Sequence, residues 1–223
     1  MAASGEERPL GMMVPPVAHG VEIPPEPPDV GARALYIAGR LLAGATTFFF
    51  LAFLFAYFYL RSLNQNHQWH LGHVKADQGL GAVIVACVLL SAVLAIVAGR
   101  QMKAQSSGWL GPAIASLVLG LAAIALQCVE YTVQHFGPTD GAYASVFCAW
   151  TAFYAIAALA TMYWLETQIA TELRARRTPA HAHAHGDIKD PDQLIAPGLD
   201  ACVFFWSYLA ALGAIAYVTL YLL

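Results

Sequence analysis

The sequence predicts an all-α membrane protein, a bundle of five transmembrane helices with a Pro-rich N-terminal arm, and three observations predict it. Of 223 residues, 59% are hydrophobic and only 11% charged, whereas ordinary soluble domains are about a quarter charged. Five apolar runs, at 41–60, 80–99, 109–131, 142–165 and 201–223, approach or exceed the ~20 residues that a helix needs to cross ~30 Å of hydrocarbon. These runs lack the alternation of barrel strands, and only helices or closed barrels satisfy every backbone N–H and C=O in lipid. A soluble helical protein of this composition would need a helix buried all round five times over in a small chain, which argues against that class.

Residues 1–33 hold seven of the twelve prolines, together with Glu6, Glu7, Glu22, Glu26 and Asp29. Such a stretch buries too little apolar surface to offset its ordering entropy. An extended or disordered arm is expected, either lying on a neighbouring subunit or remaining free. It contains no apolar run of the kind that a cleavable signal peptide carries. The transmembrane domain is expected to occupy 34–223.

The first helix is expected over 34–60, with Arg40 snorkelling near one end and an aromatic second half at 48–59. After it come His67, His70 and His73, spaced by three around Trp69. Imidazole is the commonest transition-metal ligand, but no Cys or acidic residue completes a set, so a solvated loop is expected. The second helix, 80–99, carries Ala82, Ala86, Ser91, Ala95 and Gly99, small residues that let helix backbones approach closely in lipid.

The third helix opens at Trp109 as an interfacial anchor, tolerates Pro112 in its first turn, and has Ser116 and Gly120 as a small-residue face. It ends in Gln127, Glu130 and Tyr131. A turn at 137–141 follows, and then a fourth helix with Ser145, Trp150, Thr151, Tyr154 and Trp164, leaving the membrane over 166–177. The His181–Ala–His–Ala–His185 tract reads as a flexible loop. The fifth helix, 201–223, closes the sequence.

The hairpin at 126–153 organises the rest, because it carries Glu130, a carboxylate within a membrane-length run. A charge near a bilayer core costs roughly 3 kcal/mol on insertion scales, so it needs a partner, a watery cleft or a task. The other chemistry is sparse. All eight histidines lie outside the runs, and Cys87, Cys128, Cys148 and Cys202 form no CxxC pair, so neither a haem, copper or zinc site nor a disulfide framework is expected in this chain. No phosphate-cradling glycine loop or nucleophile–base pairing appears. The chain reads as a subunit without catalytic, cofactor-binding or metal residues of its own, and with no nucleic-acid partner.

Nine of the eleven Lys and Arg residues fall on the side of the N-terminus and of the loops between helices 2–3 and 4–5, and Arg61 and Lys75 fall on the other. The positive-inside rule then places the N-terminus in the cytoplasm and the C-terminus outside.

The order Gln127-x-x-Glu130-Tyr131, a short turn, Asp140-Gly141-x-Tyr143-x-Ser145-x-Phe147 and Thr151-x-Phe153 resembles subunit III of the haem-copper cytochrome c oxidases. The stretch Phe55-Ala56-Tyr57-Phe58-Tyr59-Leu60-Arg61 and the pair Phe205-Trp206 with Tyr221-Leu222 are similar to two further parts of that family. The match covers nearly all of 34–223 and suits the five-helix bacterial form. The chain departs from the family at Ala45-Thr46, where a Ser-Glu pair is usual. It departs again at Tyr154 and Ala157 and at Ser207, where histidines are usual.

The resemblance implies a non-catalytic subunit in a bacterial inner or plasma membrane. On that reading it packs on oxidase subunit I and other oxidase subunits, contacts membrane lipids and serves a respiratory chain or supercomplex. Haem and copper, oxygen reduction and proton pumping would then belong to the partner catalytic subunit. Gln127, Glu130, Tyr131, Tyr143, Ser145, Thr151 and Trp206 are the expected structural or lipid-cleft residues, with Glu130 structural or lipid-facing and not part of a proton relay. Two rival readings are the same role beside a nitric oxide reductase or quinol oxidase, and a small transporter or channel with Glu130 in its path.

Overall fold

A computed structural model of the chain describes residues 28–64, 69, 74–177 and 192–223. Five helices follow one another: α1 (Pro28–Ser62), α2 (Gln78–Lys103), α3 (Leu110–Val133), α4 (Ala142–Arg177) and α5 (Asp192–Tyr217). A 3₁₀ turn, Ser107–Trp109, leads into α3, and a π-helical turn, Val218–Leu222, ends α5. All five helices are long and apolar enough to cross a membrane, and no strand occurs among the described residues. The chain is thus an all-helical, multi-pass membrane protein. The arm at 1–27, His67, His70, His73 and the tract at 181–185 lie outside the described residues.

The helix ends extend beyond the apolar runs. The first helix begins at Pro28, six residues before the expected start at 34, so residues 28–33 belong to the helix and not to the arm. Proline suits a first helical position, since its missing N–H has no partner there in any case. The fifth helix starts at Asp192, nine residues before the expected 201, and runs through Pro197. Ile195 and Leu199 on this first stretch are fully buried, and Asp200 pairs with Lys103 of α2 at 2.6 Å. Burial of two aliphatic side chains offsets the missing proline donor. The 36 residues of α4 span ~54 Å at 1.5 Å each. That exceeds the hydrocarbon, and its charged end closes with an Arg176–Glu172 pair at 2.6 Å.

Sequence spacing explains how the helices pack. The buried side of α2 includes Gly81, Ile84, Val88, Ser91, Ala95 and Ala98, and that of α3 is Ala113, Ser116, Gly120, Ala123, Gln127 and Glu130. Both advance by three and four residues in turn, the seam of antiparallel helices crossing at a small angle. Because most of these residues are small, the backbones come close. Ala86 was expected on this side, but it faces outward on α2. Trp109, expected as a lipid-interface anchor, is buried against the core instead.

Helix α5 is central, packing against α1, α2 and α4, while α3 fills the groove between α2 and α4. Of the aromatic half of α1, Phe50 and Tyr57 turn inward against Trp150 and Trp69, whereas Phe48 and Phe55 remain 78% and 70% exposed. The bundle therefore has two ends. One holds Pro28, Lys103, Leu110, Arg177 and Asp192, and the other holds Ser62, Gln78, Val133, Ala142 and Leu223.

Candidate functional site

The site forms at the Leu223 end, where the α3–α4 hairpin meets the π turn and the start of α2. Helix α3 stops at Val133 because Gln134 is extended, and the chain reverses through 137–141. The Gly137 N–H donates to Asp140 Oδ2 at 2.7 Å, and the Asp140 N–H to the Gly137 carbonyl at 3.1 Å. Gly141 has φ 122°, a conformation that side-chain-bearing residues avoid. The Ser145 hydroxyl lies 2.6 Å from the Pro138 carbonyl and 3.0 Å from that of Gly141. Ser145 thus clasps the turn from the first turn of α4.

Above this clasp the polar side chains tie helices together. Tyr131 of α3 donates to Thr151 Oγ1 of α4 at 2.7 Å, and Thr151 donates in turn to the Phe147 carbonyl at 2.7 Å. The Tyr143 hydroxyl donates to the Leu220 carbonyl in the π turn at 2.6 Å. Glu130 is 1% exposed. Its Oε2 accepts from Gln127 Nε2 at 2.6 Å and from the Tyr221 hydroxyl at 2.8 Å. Tyr221 reaches it because Gly81 leaves room, since a Cβ at Gly81 would run into the Tyr221 ring.

Of the two placements expected for Glu130, structural or lipid-facing, its burial excludes the second. It lies inside the bundle and joins α3 to the end of α5. Charge-assisted hydrogen bonds of this kind are the strong ones, and burying a carboxylate without them would cost several kcal/mol. A recess of about 220 Å³, lined by Lys75, Asp77, Glu130, Val133, Gln134 and His135, opens beside it. Asp77 also caps α2, its Oδ1 accepting from the N–H groups of Gly79 and Leu80 at 2.8 and 3.2 Å.

Comparison with protein-family models and with curated proteins yields no match.

Six of the seven expected residues, Gln127, Glu130, Tyr131, Tyr143, Ser145 and Thr151, come together around the hairpin. Trp206 stands apart in a second polar cluster among α2, α3 and α5. There its indole N–H donates to Ser91 Oγ at 3.0 Å, Ser91 Oγ donates to the Ser116 carbonyl at 2.6 Å, and Ser116 Oγ donates to the Ser91 carbonyl at 2.8 Å.

Sequence reasoning overlooked Tyr221 and Trp150 as site residues and the reciprocal Ser91–Ser116 pair. Tyr154, standing where the resemblance leads one to expect histidine, donates to the Leu209 carbonyl at 2.9 Å. Thr46, standing where it leads one to expect a carboxylate, donates only to the Leu42 carbonyl of its own helix and is partly exposed. Among the described residues, no three of His, Cys, Asp and Glu come close enough together to hold a metal ion. The site's chemistry is cohesive: Tyr131, Tyr143 and Tyr221 spend their hydroxyls on another helix, and Ser145 spends its own on the turn.

Proposed function

We propose that the chain is a non-catalytic, subunit III-like integral membrane subunit of a haem-copper terminal oxidase, packing against and stabilising the catalytic subunit. One observation carries the reading. The motif residues that resemble that family are spent on fastening α3, α4 and the end of α5 to one another. Gln127, Glu130, Tyr131, Tyr143 and Thr151 all hydrogen-bond within the bundle, and Ser145 holds the turn. Such an arrangement suits a rigid flank for a neighbour, and the chemistry of oxygen reduction and proton pumping falls to that partner, with its haem and copper.

On this reading the membrane is a bacterial inner or plasma membrane, the Pro28 end is cytoplasmic and the Leu223 end faces outward. The basic-residue asymmetry supports that orientation. A nitric oxide reductase or quinol oxidase as the partner would ask the same of this chain.

Purifying the tagged chain in mild detergent tests the reading. Co-elution with haem-bearing subunits is the expected result. A haem-free homo-oligomer contradicts it and leaves the transporter or channel reading.

A further inference from the structure

Four buried side-chain atoms among the described residues have no hydrogen-bond partner within the protein: Gln101 Oε1, Glu130 Oε1, Gln134 Oε1 and Trp150 Nε1. The last three fall along one seam. Glu130, in the last turn of α3, and Gln134, just past its end, line the 220 Å³ recess at the Leu223 end. Trp150, 1% exposed, lines a partly open cavity of about 40 Å³ among the helices, together with Gln127, Thr151, Tyr154, Gly81 and Tyr221. Gln127 and Tyr221 are the two residues that donate to Glu130 Oε2. The carboxyl group therefore stands between the two spaces, with its donors on the inner side.

The size and polarity of both spaces point to one ligand. A water molecule needs roughly 10–15 Å³ of such volume and two to four polar partners, and the inner cavity meets both needs. It offers the Trp150 N–H as a donor and the oxygens of Gln127, Thr151 and Tyr221 as acceptors. A buried indole N–H left without a partner keeps its full desolvation penalty, and natural structures rarely leave one so.

We propose that ordered water occupies both spaces and meets at Glu130, giving a blind hydrogen-bonded file from the recess through the carboxyl group to the Trp150 indole. The file ends there because the next space, of about 10 Å³, is walled by apolar side chains apart from Gln127 and Tyr154, whose donors are already taken by Glu130 and the Leu209 carbonyl. Glu130 is thereby hydrated from the Leu223 end of the bundle although it is buried, and the file is a hydration site and not a passage across the membrane. The inference does not depend on the identity of any partner subunit.

Radiolytic oxidation of the purified full-length protein in detergent tests this, because an X-ray pulse makes hydroxyl radicals from water where it lies and so marks buried aromatic rings that touch it. Trp206 is an internal control: it is equally buried, its N–H is taken by Ser91, and it lines neither space. Trp150 is expected to oxidise several-fold faster than Trp206, and a rate no faster than that of Trp206 overturns the proposal. A brief mix with H₂¹⁸O before an anaerobic pulse tests the connection. Heavy oxygen should enter Trp150 in step with His135 in the recess, whereas ¹⁸O at His135 with ¹⁶O at Trp150 shows a sealed inner cavity and overturns the file.

Discussion

Glu130 is the residue on which local stability turns. It accepts two hydrogen bonds on one oxygen, from Gln127 and Tyr221. Glu130→Leu removes both and leaves the donors unpaired in a buried place, so a loss of about 2–4 kcal/mol is expected in thermal denaturation of the purified protein. Glu130→Gln keeps an acceptor oxygen and the shape, and should cost less than half as much. If the chain is an oxidase subunit, Glu130→Gln is also expected to leave turnover and proton pumping of the assembled complex nearly intact. A several-fold fall with the subunit complement unchanged would place the carboxylate on a proton path. The register that buries Glu130 is present in the sequence, seven residues beyond Ala123 and three beyond Gln127, but the sequence alone leaves it structural or lipid-facing because only the packed neighbours show which face of α3 is inward. Its partner Tyr221 was not legible, because that contact depends on the π turn and on the room left at Gly81, and no local pattern encodes either.

At the scale of elements, small residues set the helix spacing and a few polar groups fix the register. Gly81→Ala drives a methyl group into the Tyr221 ring, so the end of α5 must shift away from α2. Overpacking of this kind costs about 1–3 kcal/mol, and the Tyr221–Glu130 bond should weaken with it. A double-mutant cycle between Gly81→Ala and Tyr221→Phe should therefore give a coupling energy above ~0.5 kcal/mol; additivity would contradict the contact. The Ser91–Ser116 pair should couple only through its Oγ–Oγ contact at 3.1 Å, because each Ser→Ala removes just the bond that its own hydroxyl donates to the other residue's carbonyl. Five helices and the turn at 137–141 were readable from hydropathy and from Gly, Pro and Asp. The ends were less so. Pro197 and the polar residues before it resemble a loop, and only the core that receives Ile195 and Leu199 makes them helix. Of the small residues expected to pack on α2, Ser91, Ala95 and Gly99 are buried, whereas Ala86 lies off the buried register and Gly81 was overlooked.

For the whole molecule, the described bundle is fastened internally by its polar groups and shows apolar side chains outward on every helix. An internally cohesive, lipid-embedded body suits a supporting subunit. If the Pro28 end is cytoplasmic, as proposed, single cysteines placed in the loop between α1 and α2 should be labelled by a membrane-impermeant thiol reagent from outside intact cells. Labelling only after the cells are opened would reverse the orientation. On the proposed function the chain stands beside a haem-bearing partner and carries no haem itself. That reading is tested most directly by measuring haem per mole of this chain in material purified through a tag in mild detergent, before and after the assembly is dissociated. The expected result is a haem spectrum in the intact assembly that leaves with the partner chains, and no Soret absorption on the separated subunit. Haem that stays in stoichiometric amount on the separated chain, or an intact assembly with no haem at all, would contradict it.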